Sequence, residues 1–92
     1  MYLKIALSIG GSDSGGGAGI QADLRTFMAL NVHGCSAITC ITAQNSLNVN
    51  CVEAVKKDTL ISQIDTVFSD FNINALKTGM LLKESIIKHT AF

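Results

Sequence analysis

The sequence predicts an α/β layered fold, and three observations point there. An apolar, β-rich run, Tyr2–Ile9, feeds straight into a glycine-rich stretch, Gly10–Gly19. Behind it the apolar period changes, with Ile20, Leu24, Phe27 and Leu30 at helical spacing. Short apolar runs then flank a second helical stripe. The order strand, helix, strand, strand, helix, strand, helix is the grammar of a layered α/β sheet.

The elements follow in turn. The first strand is expected to stop at Ile9, leaving Gly10–Gly19 as loop. A helix covers roughly Ile20–Leu30, with Asn31 as a left-handed cap. Ser36–Ala43 is almost fully apolar and Thr-rich, as a strand covered on both faces should be. Asn45–Asn48 is turn-like, and Val49–Val55 alternates like a half-exposed strand or hairpin arm. Asp58 or Thr59 is expected to cap a second helix that puts Leu60, Ile64, Val67, Phe68 and Phe71 on one face. Asn74–Thr78 reads as a strand ending in Gly79–Met80, and Lys83–Ala91 as a last helix.

Composition limits the function classes. A chain of 92 residues makes one small domain at most, burying about 60–65% of the surface it exposes when unfolded. At 48% hydrophobic and 15% charged it is not disordered by composition. Seven basic and seven acidic residues cancel, leaving no basic field for nucleic acid or an anionic membrane. No apolar stretch approaches the ~20 residues of a membrane helix, and the start does not read as a signal peptide. A cytoplasmic location is the expectation. Cys35, Cys40 and Cys51 are odd in number and lack metal-ligand spacing. Each sits in an apolar run, so buried reduced thiols are expected.

In open α/β sheets ligands bind outside the carboxyl ends of the strands. Three segments fall there: the Gly-rich loop, Thr42–Asn45 and Thr78–Met80. The loop holds no lysine, so it is not a GxxxxGK[ST] phosphate loop, and it does not fit GxGxxG either. What remains is a run of backbone amides entering a helix, able to wrap closely around a neutral or anionic ligand. Asp13 and Asp23 argue against a pure anion site. A carboxylate there is more useful for accepting a hydrogen bond from a hydroxyl or amine.

The run Gly10–Asp23, GGSDSGGGAGIQAD, resembles the amino-terminal signature of the hydroxymethylpyrimidine/phosphomethylpyrimidine kinases, ribokinase-like enzymes of thiamine biosynthesis. Thr39–Asn45 (TCITAQN), Gln63–Asp70 (QIDTVFSD) and Ala75–Leu81 (ALKTGML) resemble the same family in the same order. The resemblance implies a ribokinase-like three-layer α/β sheet, truncated after about the first third to half of the domain. Residues 1–92 would then be the amino-terminal, substrate-binding part.

The implied activity is ATP-dependent phosphorylation of hydroxymethylpyrimidine and then of its monophosphate. By the same resemblance Gly11, Asp23, Gln44 and Met80 line the pyrimidine pocket. A carboxamide such as Gln44 can meet an aminopyrimidine edge with two parallel hydrogen bonds, worth about 1–3 kcal/mol of discrimination. Asp23, placed in the first turn of the helix, would accept from the ligand or simply answer the helix dipole. Met80 would be a polarizable wall or a core residue. Lys77 pairs with a carboxylate or approaches phosphate, and the sequence does not choose. His33 reads as a surface or cap residue.

The chain also departs from the family. Asn31, Asn48 and Asn72 stand where the family favours glycine, and Asn is the next best residue for left-handed backbone. ATP and magnesium belong to the family reaction, yet nothing in Leu82–Phe92 resembles its GxGD-type catalytic motif. No catalytic or metal residue is therefore assigned, and the isolated chain is expected not to transfer phosphate. An open sheet edge and uncovered apolar faces are expected, suiting a homo-oligomer or a separately encoded carboxyl-terminal half. The alternatives are a pyridoxal or pyridoxine kinase, and a non-catalytic pyrimidine-binding fragment or gene remnant.

Overall fold

A computed structural model describes residues 4–79. The readings of Met80 as a pocket wall and Lys83–Ala91 as a helix lie outside them. Six elements follow one another: β1 (Lys4–Ser12), α1 (Gly19–Ala29), β2 (Val32–Gln44), β3 (Val49–Ala54), α2 (Lys57–Asp70) and β4 (Ala75–Thr78). They form one four-stranded sheet in the order β3-β2-β1-β4. β1 is parallel to both β2 and β4, while β3 returns antiparallel to β2.

Alternation along β1 divides the two helices between the two faces. Leu7 and Ile9, with Cys35 and Ala37 of β2, meet Leu60 and Ile64 of α2 in the main core. Each buried Leu or Ile contributes about 1.5–3 kcal/mol. Ser8 and Gly10 point the other way, toward Asp23 and Ile20 of α1. α1 lies close on that face because Gly34 has no side chain; a Cβ there would come 2.7 Å from Leu24 Cδ2 and 2.9 Å from Phe27 Cδ2. The chain thus reaches β2 through α1 on one face and β4 through α2 on the other. The reversal puts a crevice at the carboxyl end of β1.

Several expectations change. β1 does not stop at Ile9: pairing with β2 continues through Gly10, Gly11 and Ser12, so these belong to the strand. The second helix starts at Lys57 with Lys56 as its cap residue and no side-chain capping bond; Asp58 sits in its first turn. Asn31 is left-handed as expected (φ 58°), but Asn48 and Asn72 are not. Asn48 instead closes the β2–β3 connection, where Asn45 Oδ1 accepts from Leu47 N and Asn48 N at 2.9 and 3.1 Å. That fold-back needs no positive φ.

Cys35 and Cys40 are buried, but Cys51 is exposed because β3 is the sheet edge. Phe68 is 44% exposed rather than packed with its helical stripe. It rims an open apolar groove with Ile64 and Leu76. His33 is a strand residue, its ring stacked on Phe71 at 5.3 Å.

Candidate functional site

A cavity of about 210 Å³ opens at the carboxyl ends of β1, β2 and β4. Gly10, Gly11 and Ser12 supply its wall from β1, Asp23 from α1, Thr42 and Gln44 from β2, and Lys77 and Gly79 from the end of β4. Three of the four residues expected from the sequence, Gly11, Asp23 and Gln44, line this one space. Met80, the fourth, lies outside the described residues.

The loop between β1 and α1 is built around Asp13. Its Oδ1 accepts from Gly15 N and its Oδ2 from Ala18 N, both at 2.8 Å, while Asp13 O accepts from Gly16 N at 2.9 Å. Gln21 reaches back from α1, accepting from Asp13 N at 2.8 Å and donating to Ser12 Oγ at 2.7 Å. An internal carboxylate therefore occupies amides that a phosphate loop would offer its ligand. This corrects the picture of an open cradle of amides. Gly19 begins the helix at φ 61°, with its α-carbon turned so that any Cβ would strike Gly11 O.

Asp23 is the fifth residue of α1 rather than part of its first turn, which holds no acidic residue. The helix dipole is weak that far in. Its partners lie across the sheet: Ser8 Oγ donates to Oδ2 at 2.7 Å and Lys77 Nζ donates to the same oxygen at 2.9 Å. Burial works to raise the Asp23 pKa. The hydrogen bonds from Lys77 and Ser8, together with the Lys77 charge, outweigh it and hold the carboxyl below its usual value. Among the described residues no hydrogen bond reaches Oδ1, so that oxygen remains as an acceptor.

Gln44 is fixed through its backbone. Ser14 Oγ bonds Gln44 O at 2.6 Å and Gln44 N at 2.7 Å, clipping the loop to the end of β2. Its side chain is held less firmly. Thr42 has one hydroxyl proton and two acceptors, Ser12 O at 2.8 Å and Gln44 Oε1 at 3.2 Å. The shorter contact takes the proton. The Gln44 carboxamide can then present either its oxygen or its NH2 group to a ring.

Sequence reasoning gave Ser8 no role, put Thr42 only in a strand-end segment, saw Asp13 only as a loop carboxylate, and left Lys77 between a carboxylate and phosphate; the carboxylate is Asp23. Lys77 did carry a signal, as a lone cation inside a short apolar strand. Ser8 and Thr42 sit in runs whose composition says only that they are strands.

Fold and site together define an α/β protein with a pocket at the switch point of a mixed sheet. The family model for phosphomethylpyrimidine kinase matches residues 13–91, and the chain belongs to that family. The hydroxymethylpyrimidine/phosphomethylpyrimidine kinase of Synechococcus elongatus is 57% identical over 91 residues, covering 99% of this chain and 35% of the relative. The crystal structure of phosphomethylpyrimidine kinase from Clostridium difficile 630 superposes with a TM-score of 0.91 at 48% identity, covering 95% of this chain and 38% of that one. An ADP complex of Bacillus subtilis pyridoxal kinase gives 0.89 at 44% identity, over 98% and 36%. The fold is ribokinase-like, and the chain spans about a third of the length of the relatives it matches.

Proposed function

We propose that residues 1–92 are the amino-terminal, substrate-binding part of a hydroxymethylpyrimidine/phosphomethylpyrimidine kinase. One observation carries this reading: Gly11, Asp23 and Gln44, from three different elements, line one cavity sized for a single-ring molecule. Gln44 meets the aminopyrimidine edge, Asp23 Oδ1 accepts from an amine or hydroxyl, and Gly11 lets the ring approach the backbone. Because Asp13 already holds loop amides, the site favours a neutral ring over a free anion.

The activity proposed for the full-length protein is transfer of the ATP γ-phosphoryl group to hydroxymethylpyrimidine and then to its monophosphate, in the cytoplasm. ATP and magnesium do not fit the described residues. The loop lacks a lysine, its Gly15 and Ala18 amides are taken by Asp13, and no group of three metal-ligating side chains is found among the described residues. No step of phosphoryl transfer is therefore assigned to them. The exposed β4 edge and the groove at Ile64, Phe68 and Leu76 suit cover by the carboxyl-terminal part that the longer relatives carry.

A second reading, pyridoxal or a related hydroxypyridine, has one observation in its favour. The half-exposed Lys77 ammonium at the pocket wall suits an ionised ring hydroxyl. Calorimetry on the 92-residue chain separates the two. Hydroxymethylpyrimidine should bind more tightly than pyridoxal, and Gln44→Ala should weaken it about tenfold or more. Tighter pyridoxal binding would shift the assignment to the second reading. Heat from neither ligand would count against both.

A further inference from the structure

Gln63 belongs to a segment that resembles the family, Gln63–Asp70, yet it lies on α2 and does not line the pocket. Its carboxamide is turned into the sheet. Gln63 Oε1 accepts from Ile38 N at 2.8 Å and Gln63 Nε2 donates to Ile38 O at 3.0 Å. A helix side chain thus pairs with a strand residue as a neighbouring strand would.

The place where it does so is irregular. Gly10 pairs with Ile38 but Gly11 pairs with Cys40, so β2 carries one residue more than β1 at this step. In a regular strand successive carbonyls point to opposite edges. Here the carbonyls of Ile38 and Thr39 are both taken by groups outside β1: the first by Gln63 and the second by Val55 N at 2.9 Å. Gln63 takes the rung next to the last bond between β2 and the end of β3.

We infer that Gln63 is a positioning residue for Gln44, acting by clamping the β2 bulge. Beyond the bulge Ser12 faces Ile41; a regular ladder would set it against Cys40. Removing the extra residue from the register would slide β2 by about 3.3 Å. The place that Gln44 holds would then fall to Ala43, which has no hydrogen-bonding side chain. Bulges beside binding sites re-aim side chains in this way, and a one-residue slip changes which side chain faces the ligand. The Ser12–Thr42 and Ser14–Gln44 bonds depend on the same offset.

The inference rests on the pyrimidine-binding reading, and the test keeps the two apart. Calorimetry with hydroxymethylpyrimidine is run on the 92-residue chain, Gln63→Leu, Gln44→Ala and the double variant. Gln63→Glu, which keeps the acceptor for Ile38 N–H and loses the donor, serves if the leucine variant does not fold. Side-chain amide NMR of Gln44 is recorded without ligand, with exposed Ser62→Ala as control.

Gln63→Leu should weaken binding about tenfold, the size of one lost ring hydrogen bond. The double variant should bind no worse than Gln44→Ala alone, because both act through the same contact. The ligand-free Gln44 amide signals should move in Gln63→Leu and stay in place in Ser62→Ala. Unchanged affinity in Gln63→Leu, or losses that multiply in the double variant, would overturn the inference while leaving the pocket reading intact. If the wild-type chain binds nothing, the pocket reading falls. The ligand-free signals then decide: a shift in Gln63→Leu alone sustains the positioning role, and no shift ends it.

Discussion

Lys77 Nζ and Ser8 Oγ converge on one oxygen of Asp23, and the Lys77–Asp23 contact is 2.9 Å across a sequence separation of 54 residues. It ties the last described strand to the first helix beneath the pocket. With Lys77 49% and Asp23 18% exposed, solvent screens much of the attraction.

The first prediction concerns that pair. Lys77→Met should lower stability at pH 7 by about 0.2–1 kcal/mol, the range for a screened pair. The Asp23 pKa is lower folded than unfolded. Its contribution is therefore present above the unfolded carboxylate value, about 3.9, and is lost as pH falls through the folded value. Urea unfolding of wild type and variant should show a gap at pH 7 that shrinks at an acid pH below the unfolded carboxylate value. A gap of equal size at both pH values would assign the effect to packing instead.

Asp13 should matter more to stability than Asp23, because it is buried and serves two backbone donors. Asp13→Ala leaves the Gly15 and Ala18 amides without that acceptor and should cost about 1–3 kcal/mol. Asp13→Asn keeps one carbonyl oxygen and should cost less. Hydrogen exchange at those two amides should accelerate in the alanine variant.

Two left-handed positions should respond differently to substitution. Gly19→Ala combines a backbone cost of about 1–2 kcal/mol with a clash against Gly11 O, so a loss above about 2 kcal/mol or failure to fold is expected. Asn31→Gly should be nearly neutral, since glycine adopts φ 58° without strain. Thermal unfolding of the two variants checks both.

The cysteines should separate by reactivity. Cys51 is exposed, whereas Cys35 and Cys40 are buried. Burial, and next the Asp70 carboxylate, push the Cys35 thiol up, which lowers its thiolate fraction further. Brief iodoacetamide treatment near pH 8 should label Cys51 alone, as read by mass spectrometry of the peptides. Early labelling of Cys35 would contradict the described packing.

Much of the fold was legible because apolar period and strand–helix alternation are local signals. Ile20, Leu24, Leu60 and Ile64 announced their faces through spacing, and Asn31 announced a left-handed turn. The extension of β1 through Ser12 was hidden, since glycines normally end a strand and only pairing with Ile38–Ile41 shows otherwise. The motif resemblance drew Gly11, Asp23 and Gln44 toward one site. It left unread the role of Asp13 and the partner of Lys77, which depend on contacts between distant segments. Gln63 was equally silent: nothing in a helix sequence tells that a side chain will pair with a strand 25 residues earlier.

The central claim is that the pocket at the ends of β1, β2 and β4 holds an aminopyrimidine, and residue-resolved NMR titration of the chain tests it most directly. Hydroxymethylpyrimidine should shift the backbone amides of Gly10–Asp13, Asp23, Thr42–Gln44 and Gly79, together with the Gln44 side-chain amide. Saturable shifts confined to Ile64, Phe68 and Leu76, or no shifts at all, would contradict it.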